Sequence, residues 1–251
     1  MVDTHCHLSY KDYDNLEEVI EKMKNHIIII SGCDRSSNYE VMELCQKYSN
    51  IYGCLGIHPE SVSSATEDDL AYIEKNLDNS KIVGIGEIGL DYYWDKDNKE
   101  IQKKWFNRQI ELAKKYNKPI VVHSRDAIQD TYEILRDSKH NKIDIHCYSS
   151  SLEMAREFIK LGAKLGIGGV LTFKNSDKLK EVVKNVDLQH LILETDSPYL
   201  TPEPYRGKKN EPYNVYYVAL KIAEIKNISI DTVLEETTNN ALTLFDLNFK
   251  L

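Results

Sequence analysis

Ile82-Val83-Gly84-Ile85-Gly86-Glu87 is a short apolar run that ends in a carboxylate. A run of this length and composition predicts a buried strand, and a carboxylate that emerges from such a strand needs a metal ion, an ion pair or solvent. Other short apolar runs of the same kind are distributed along the chain. The predicted strands span residues 1–4, 26–31, 51–56, 82–86, 119–122, 143–145, 164–167 and 191–193.

Amphipathic stretches with helical spacing follow most of these strands. The predicted helices span residues 16–24, 36–48, 67–76, 99–116, 127–137, 152–161, 176–185, 215–225 and 230–244. Strands connected through helices of this length form a parallel sheet, and eight such units in 251 residues match the size of a TIM barrel. We therefore predict an α/β fold, a TIM (β/α)8 barrel in one domain over residues 1–251, with additional C-terminal helices outside the barrel.

An open doubly wound sheet is the alternative architecture. It would place ligands only near a topological switch point, whereas candidate functional residues here follow several different strands. The pattern Gly84-x-Gly86-x-x-Gly89 matches a dinucleotide-binding fingerprint, but no convincing helix begins after it and Glu87 would repel a pyrophosphate. A closed barrel, whose strands all direct their carboxyl ends to one face, accounts better for the distribution.

Composition limits the function classes. The formal net charge of −8 argues against tight non-specific binding of nucleic acid. No apolar run is long enough to cross a bilayer, and Met1 leads directly into the first strand without a signal peptide. The five cysteines are odd in number and form no C-x-x-C pair, which indicates reduced thiols and a cytoplasmic location. No obligate protein partner is evident.

Six possible metal ligands stand at the ends of predicted strands. They are His5, His7, Glu87, His123, His146 and Asp196. Taken alone, each has an ordinary explanation, such as a hydrogen-bonded core histidine, a buried ion pair or a turn cap. Their joint placement at so many strand ends is what indicates a metal centre.

The ligand types suit divalent ions such as Zn, Mn, Fe or Co and do not exclude Mg. Two ions about 3.5–4 Å apart can lower the pKa of a bound water and stabilise a leaving oxygen. Glu87, with two oxygens, could bridge them, and Asp196 could take the proton from that water. The pattern therefore predicts a hydrolase with two divalent ions.

Possible substrate contacts lie in the loops after the same strands. Arg125 and His58 could bind phosphate oxygens, and Arg206 begins a basic loop after the eighth strand, where barrel phosphate sites tend to form. Surface ion pairs and simple solvation are the alternatives. The loops also contain aromatic residues that could stack on bases, although core packing explains about half of them. These residues are Tyr92, Tyr93, Trp94, Tyr148 and Tyr205.

The chain resembles the TatD family of metal-dependent deoxyribonucleases, within the amidohydrolase-like superfamily. The similar segments are VDTHCHL at 2–8, GIHPE at 56–60, GEIGLDYY at 86–93, PIVVHSRDA at 119–127, HCYS at 146–149, ETDSPYLTP at 194–202 and RGKKNEP at 206–212. They extend over nearly the whole chain and occur in the family's order. Two positions depart from the family pattern, Ser150 and Tyr213, and neither is a ligand position.

The resemblance implies a role for each candidate residue. His5, His7 and Asp196 would hold one ion, His123 and His146 the other, and Glu87 would be shared. His58, Arg125 and Glu194 would orient substrate and water. The implied activity is hydrolysis of DNA, single-stranded or at 3′ ends, by a 3′–5′ exodeoxyribonuclease with two divalent ions (Mg, Mn or Zn).

Two other hypotheses remain. A small-molecule amidohydrolase, lactonase or phosphoesterase could use the same scaffold, and the acidic net charge is compatible with it. Many such relatives carry a bridging carboxylated lysine, but here Glu87 stands in that place and Lys81 lies at the opposite end of the strand. A binding protein that keeps a metal site without turnover is less favoured, because it would not need Asp196, Glu194 and Arg125 together.

Overall fold

The strands of the protein form one parallel sheet in sequence order. The structure is a computed structural model, which describes residues 1–247. Each strand pairs with the next one along the chain, from β1 to β8. The strands are β1 Val2–Cys6, β2 Ile27–Ser31, β3 Ile51–Leu55, β4 Ile82–Asp91, β5 Ile120–Arg125, β6 Ile143–Ile145, β7 Lys164–Ile167 and β8 Leu191–Leu193.

Helices connect these strands and continue after the last one. They are α1 Leu16–Glu21, α2 Arg35–Lys47, α3 Glu67–Asn76, α4 Lys99–Lys115, α5 Ile128–Ser138, α6 Leu152–Lys160, α7 Asp177–Asn185, α8 Val215–Lys226 and α9 Ile230–Leu244. Several begin at side-chain caps, as at Asp34 and Ser151, whose oxygens accept N–H groups of the first turn. The predicted βα alternation and the additional C-terminal helices are confirmed.

The last strand returns to the first, so the sheet curves into a barrel. Thr4 Oγ1 donates to the carbonyl of Leu193 at 3.0 Å. Beyond the end of β8, the N–H of Asp196 donates to the carbonyl of His5 at 3.0 Å. The predicted TIM barrel is therefore confirmed, and the carboxyl ends of all eight strands open at one face.

Apolar side chains fill the lower part of the barrel and the layer between the sheet and the helices. Inside, Ile29, Val121 and Ile192 belong to a buried cluster that also includes Leu244 and Phe245. The end of α9 thus closes the amino-terminal face of the barrel with hydrophobic side chains, each of which stabilises the fold by about 1.5–3 kcal/mol when fully buried. Within residues 1–247, no helix combines the length and apolarity needed to cross a membrane.

Three strands, β1, β4 and β5, extend beyond their predicted ends, and this changes the setting of three candidate ligands. β4 continues to Asp91 because it pairs with β5 through Gly89 opposite His123 and Asp91 opposite Arg125. His5, Glu87 and His123 therefore lie within strands and not after them, which corrects the boundaries predicted from apolar runs. The glycine-rich pattern from Gly84 to Gly89 lies entirely in β4, where no helix follows directly.

Candidate metal centre

The two histidines of the first strand point to the same side. His5 is in β1 and His7 follows it, so the alternation of an extended chain sends both imidazoles into the barrel mouth. The end of β2 orients both rings. The Ser31 carbonyl lies 3.1 Å from His7 Nδ1 and the Ser31 hydroxyl lies 3.1 Å from His5 Nδ1. Because a carbonyl only accepts, His7 carries a proton on Nδ1, and its neutral ring would present an Nε2 lone pair to a cation.

Four donor atoms form a compact first cluster. The Nε2 atoms of His5 and His7 are 3.2 Å apart. Glu87 Oε2 lies 3.5 and 3.3 Å from these two atoms, and Asp196 Oδ1 lies 3.6 and 3.5 Å from them. Four ligands placed tetrahedrally at about 2.0–2.1 Å from a zinc-type ion would be about 3.3–3.4 Å apart. The spacing therefore fits one cation.

The other oxygen of Glu87 faces a second cluster. Glu87 Oε1 lies 2.8 Å from His123 Nδ1 and 3.2 Å from His146 Nε2. His58 Nε2 is 3.4 Å from the same oxygen. Since His58 Nδ1 accepts the N–H of Glu60 at 3.2 Å, a neutral His58 carries its proton on Nε2. It can thus donate to Glu87 or to a substrate oxygen, but it is not free to bind a cation through that nitrogen.

The electrostatics of the cluster are those of a cation site. Burial alone would raise the pKa of Glu87, but the imidazoles of His146, His58 and His123 outweigh it and hold the pKa well below its usual range. Burial would likewise raise the pKa of Asp196, but its contacts with His5 and His7 outweigh burial and lower that pKa. An ionised carboxylate as deeply buried as Glu87 needs positive charge beside it. Divalent cations would supply that charge, so the donor set fits them.

Two residues that the sequence did not single out complete the surroundings. Asp91 Oδ2 lies 2.9 Å from His123 Nε2, and Cys33 Sγ lies 3.8 Å from both Glu87 Oε2 and His7 Nδ1. Asp91 could have been found from the alternation of β4, because residues 87, 89 and 91 share a face of an extended strand. No comparable sequence signal points to Cys33.

Glu194 lies beneath the second cluster. It is fully buried, its Oε1 accepts the N–H of Cys147 at 2.7 Å, and the same oxygen is 3.5 Å from His146 Nδ1. Its contacts are therefore with a candidate ligand and a backbone amide. The structure places it under the mouth, where a substrate would not reach it.

The residues predicted to bind substrate differ in how accessible the structure leaves them. Arg125 is exposed on β5, and its guanidinium lies 4.0 Å from the ring centre of Tyr93. Arg206 also stacks, at 3.6 Å from the ring centre of Phe173, in the loop after β8. Tyr92 is buried and its hydroxyl donates to Asp130. Of the two interpretations given for Tyr92, stacking on a base or core packing, its burial and its contact with α5 favour packing.

Comparison with known proteins agrees with this geometry. Residues 2–246 match the family described as TatD related DNase. The chain is 45% identical to an uncharacterized metal-dependent hydrolase of Bacillus subtilis, YabD, over 99% of this chain and all of that protein. It is 36% identical to human deoxyribonuclease TATDN3, over 98% and 94% of the two chains.

Solved structures place the fold in the same group. The crystal structure of the Escherichia coli TatD homolog YJJV superposes with a TM-score of 0.91 at 28% identity, over 99% of this chain and 98% of that one. The family match covers nearly the whole chain, and the identities to two of its relatives are well above 30%. The chain therefore belongs to the TatD-related DNase family and is a metal-dependent hydrolase.

Proposed function

We propose that this hydrolase cleaves DNA phosphodiester bonds from 3′ ends and that it uses two divalent ions. One observation carries the proposal: the two oxygens of Glu87 face two separate groups of possible metal-ligand atoms, at 3.3–3.5 Å on one side and 2.8–3.2 Å on the other. A carboxylate in that position suits a pair of adjacent cations, which is the arrangement of many phosphoester-cleaving sites.

The roles of the surrounding side chains follow from their contacts. When bound, divalent ions polarise the phosphoryl group and lower the pKa of an attacking water. Asp196 stays ionised because its pKa is depressed beside His5 and His7. Its Oδ1 faces those two rings, and its other carboxylate oxygen could accept the proton of that water. Side-chain exposures of 14% for Asp196 and 21% for His7 leave them open to the mouth. Asp196 is thus our candidate general base.

Positioning of the substrate is assigned to residues around the second cluster. His58 can donate from Nε2 to a phosphate oxygen, and Arg125 offers a planar guanidinium at the end of β5. Arg206 supplies a cation farther out, in the loop after β8. Glu194 would act through His146, whose ring it adjoins, and is therefore a positioning residue.

The small-molecule alternative is less well supported. Lys81 donates from Nζ to the carbonyls of Ser49 and Ile51, at 2.6 and 3.0 Å, near the amino-terminal end of β4. It lies at the wrong end of the strand to provide a bridging group beside Glu87. The net charge of −8 still suits a small substrate better than a long nucleic acid, so substrate choice must be tested directly.

The cysteines of the chain are all free thiols. We propose a cytoplasmic location on that basis.

The test uses the full chain loaded separately with Mg, Mn or Zn. Single-stranded DNA labelled at the 5′ end is incubated with the protein, once with a free 3′ end and once with phosphorothioate linkages at that end. The proposal predicts progressive shortening of the free substrate, resistance of the blocked one, and loss of activity with a chelator. A panel of lactones and small phosphoesters is assayed in parallel.

Two variants separate catalysis from contamination. Asp196→Asn should abolish shortening, whereas Glu203→Gln, an exposed carboxylate in the loop after β8, should leave it intact. Inert DNA together with rapid turnover of a lactone or small ester would reject the nuclease proposal in favour of the alternative. Shortening of the blocked substrate from its labelled end would reject the 3′–5′ direction alone.

A further inference from the structure

Two adjacent aromatic side chains stand exposed at the end of β4. Tyr93 is 47% exposed and Trp94 is 63% exposed. Their ring centres are 4.8 Å apart at an interplanar angle of 87°. Tryptophan has a large apolar surface and is mostly buried in folded proteins, so a pair held open beside a reaction site offers a surface for a planar ligand. We call these two side chains the Tyr93–Trp94 pair.

A positively charged side chain lies beside the Tyr93–Trp94 pair. The Arg125 guanidinium lies 4.0 Å from the ring centre of Tyr93 and 5.5 Å from that of Trp94. Arg125 is two residues after His123 on β5, so both side chains lie on one face of the strand. The surface therefore combines aromatic rings with one positive charge, which matches a nucleotide's base and phosphate.

One carboxylate fixes this surface relative to the metal centre. Asp91 Oδ1 accepts the N–H groups of both Tyr93 and Trp94 at 2.9 Å. Asp91 Oδ2 lies 2.9 Å from His123 Nε2, and the other nitrogen of that ring faces Glu87 at 2.8 Å. Asp91 therefore fixes the backbone that carries the aromatic pair, one carboxylate away from a candidate ligand.

We propose that the Tyr93–Trp94 pair is a stacking site for an unpaired nucleobase of the substrate, with Arg125 at the adjoining phosphate. The inference rests on the proposed DNA phosphodiesterase function and names the side chains that would hold the substrate's base at that same site. Bases within a duplex are covered by their neighbours, so the site favours single strands and frayed ends. Every base has an aromatic face, so the site would tolerate any sequence.

The test compares two oligonucleotides of equal length on the metal-loaded full chain, one with normal bases and one abasic near the cleaved end. We expect the native protein to prefer the base-bearing strand in kcat/KM. Trp94→Ala should reduce that preference on the order of ten-fold. Tyr39→Ala is the matched control, because Tyr39 is 53% exposed but packs against Tyr72 at the outside of α2, and it should retain the preference.

A binding measurement keeps the inference testable if DNA is not hydrolysed. The chain has two tryptophans, and the other, Trp105, is buried, so the Trp105→Phe variant reports on Trp94 alone. Base-bearing DNA should quench its fluorescence and abasic DNA should not. Equal quenching by both strands, or an unchanged preference in Trp94→Ala, would overturn the stacking site. Absence of hydrolysis with base-specific quenching would overturn only the proposed function.

Discussion

Asp91 and His123 are joined across neighbouring strands by a contact of 2.9 Å between Oδ2 and Nε2. An ionised carboxylate only accepts hydrogen bonds, so His123 donates from Nε2 to Asp91, and in the neutral ring Nδ1, which lies 2.8 Å from Glu87 Oε1, would present its lone pair to a cation. Burial would lower the pKa of His123, but Asp91 and Glu87 raise it above its ordinary value. Asp91 therefore fixes both the orientation and the charge of a candidate ligand.

Replacing Asp91 should weaken the second cation position selectively. In Asp91→Asn the amide cannot accept with the strength of a carboxylate, so His123 loses the partner that selects its tautomer. We expect a 10- to 100-fold loss of affinity for one of two ions, as is typical when such partners are removed. Titration calorimetry with Mn measures both steps. Asp95→Asn, in the following loop, makes the same chemical change away from His123 and should bind both ions normally.

Removing the shared carboxylate should affect both positions. Glu87→Ala deletes one donor atom from each cluster, so we expect the content of both ions to fall. Asp196→Asn keeps an oxygen beside His5 and His7 and should lower turnover more than metal content. Elemental analysis of the purified variants distinguishes these effects. Two ions per chain in Glu87→Ala would show that the carboxylate is not shared.

The order of strands and helices could be predicted from the sequence, because the spacing of hydrophobic residues and the length of each segment distinguish strands from helices. The predicted strand at 191–193 coincides with β8, and the predicted helix at 230–244 coincides with α9. The convergence of residues as distant as His5 and Asp196 followed from the barrel, since all strand ends meet at one face. Both the positions of these elements and the convergence of the strand ends can be inferred from the sequence pattern.

Contacts between side chains on different strands could not be predicted in the same way. The strand β4 continues past Glu87 because β5 offers it hydrogen-bond partners as far as Asp91, and those partners are not visible in the apolar run itself. The burial of Tyr92 depends on its bond to Asp130 in α5. Such details are set by tertiary packing, which overrides local signals.

Metal binding should compete with protons at this site. In the metal-free protein, burial lowers the pKa values of His7 and His146, but neighbouring groups raise both well above the ordinary value. For His7 these groups are Cys33 and nearby carboxylates. For His146 they are Glu87 and Glu194. The stability that these protonated rings contribute is fully present below the ordinary histidine pKa and is lost as pH rises through the raised values. Cations require the neutral rings, so their binding releases protons.

The stabilisation by metal should therefore increase with pH. We expect the rise in melting temperature on adding Mn or Zn to be larger at about pH 8 than at about pH 6. Differential scanning fluorimetry with and without chelator provides the measurement, and calorimetry in buffers of different ionisation enthalpy counts the protons. An equal rise at both pH values, with no proton release, would contradict protonated histidines in the metal-free centre.

Asp144 offers a separate test of the charge balance inside the barrel. It is fully buried on β6, and neither carboxyl oxygen has a hydrogen-bond partner among residues 1–247. Burial and the nearby charge of Glu194 raise its pKa well above the ordinary value. An acid with a raised pKa binds its proton more tightly in the folded protein, so stability falls as pH rises from the unfolded pKa towards the folded one.

Asp144→Asn should remove that penalty, because the amide has nearly the same shape and does not ionise. Relative to the native chain, the variant should gain stability with increasing pH, by at most about 1.4 kcal/mol per pH unit. Urea unfolding with chelator present, at pH values from about 5 to about 8, gives the free energy of unfolding for both proteins. Asp97→Asn, an exposed acid in the loop after β4, should follow the native curve. If the unfolding free energy of Asp144→Asn followed the same pH dependence as that of the native chain, Asp144 would have to be ionised in the folded protein. A positively charged partner would then have to compensate its charge.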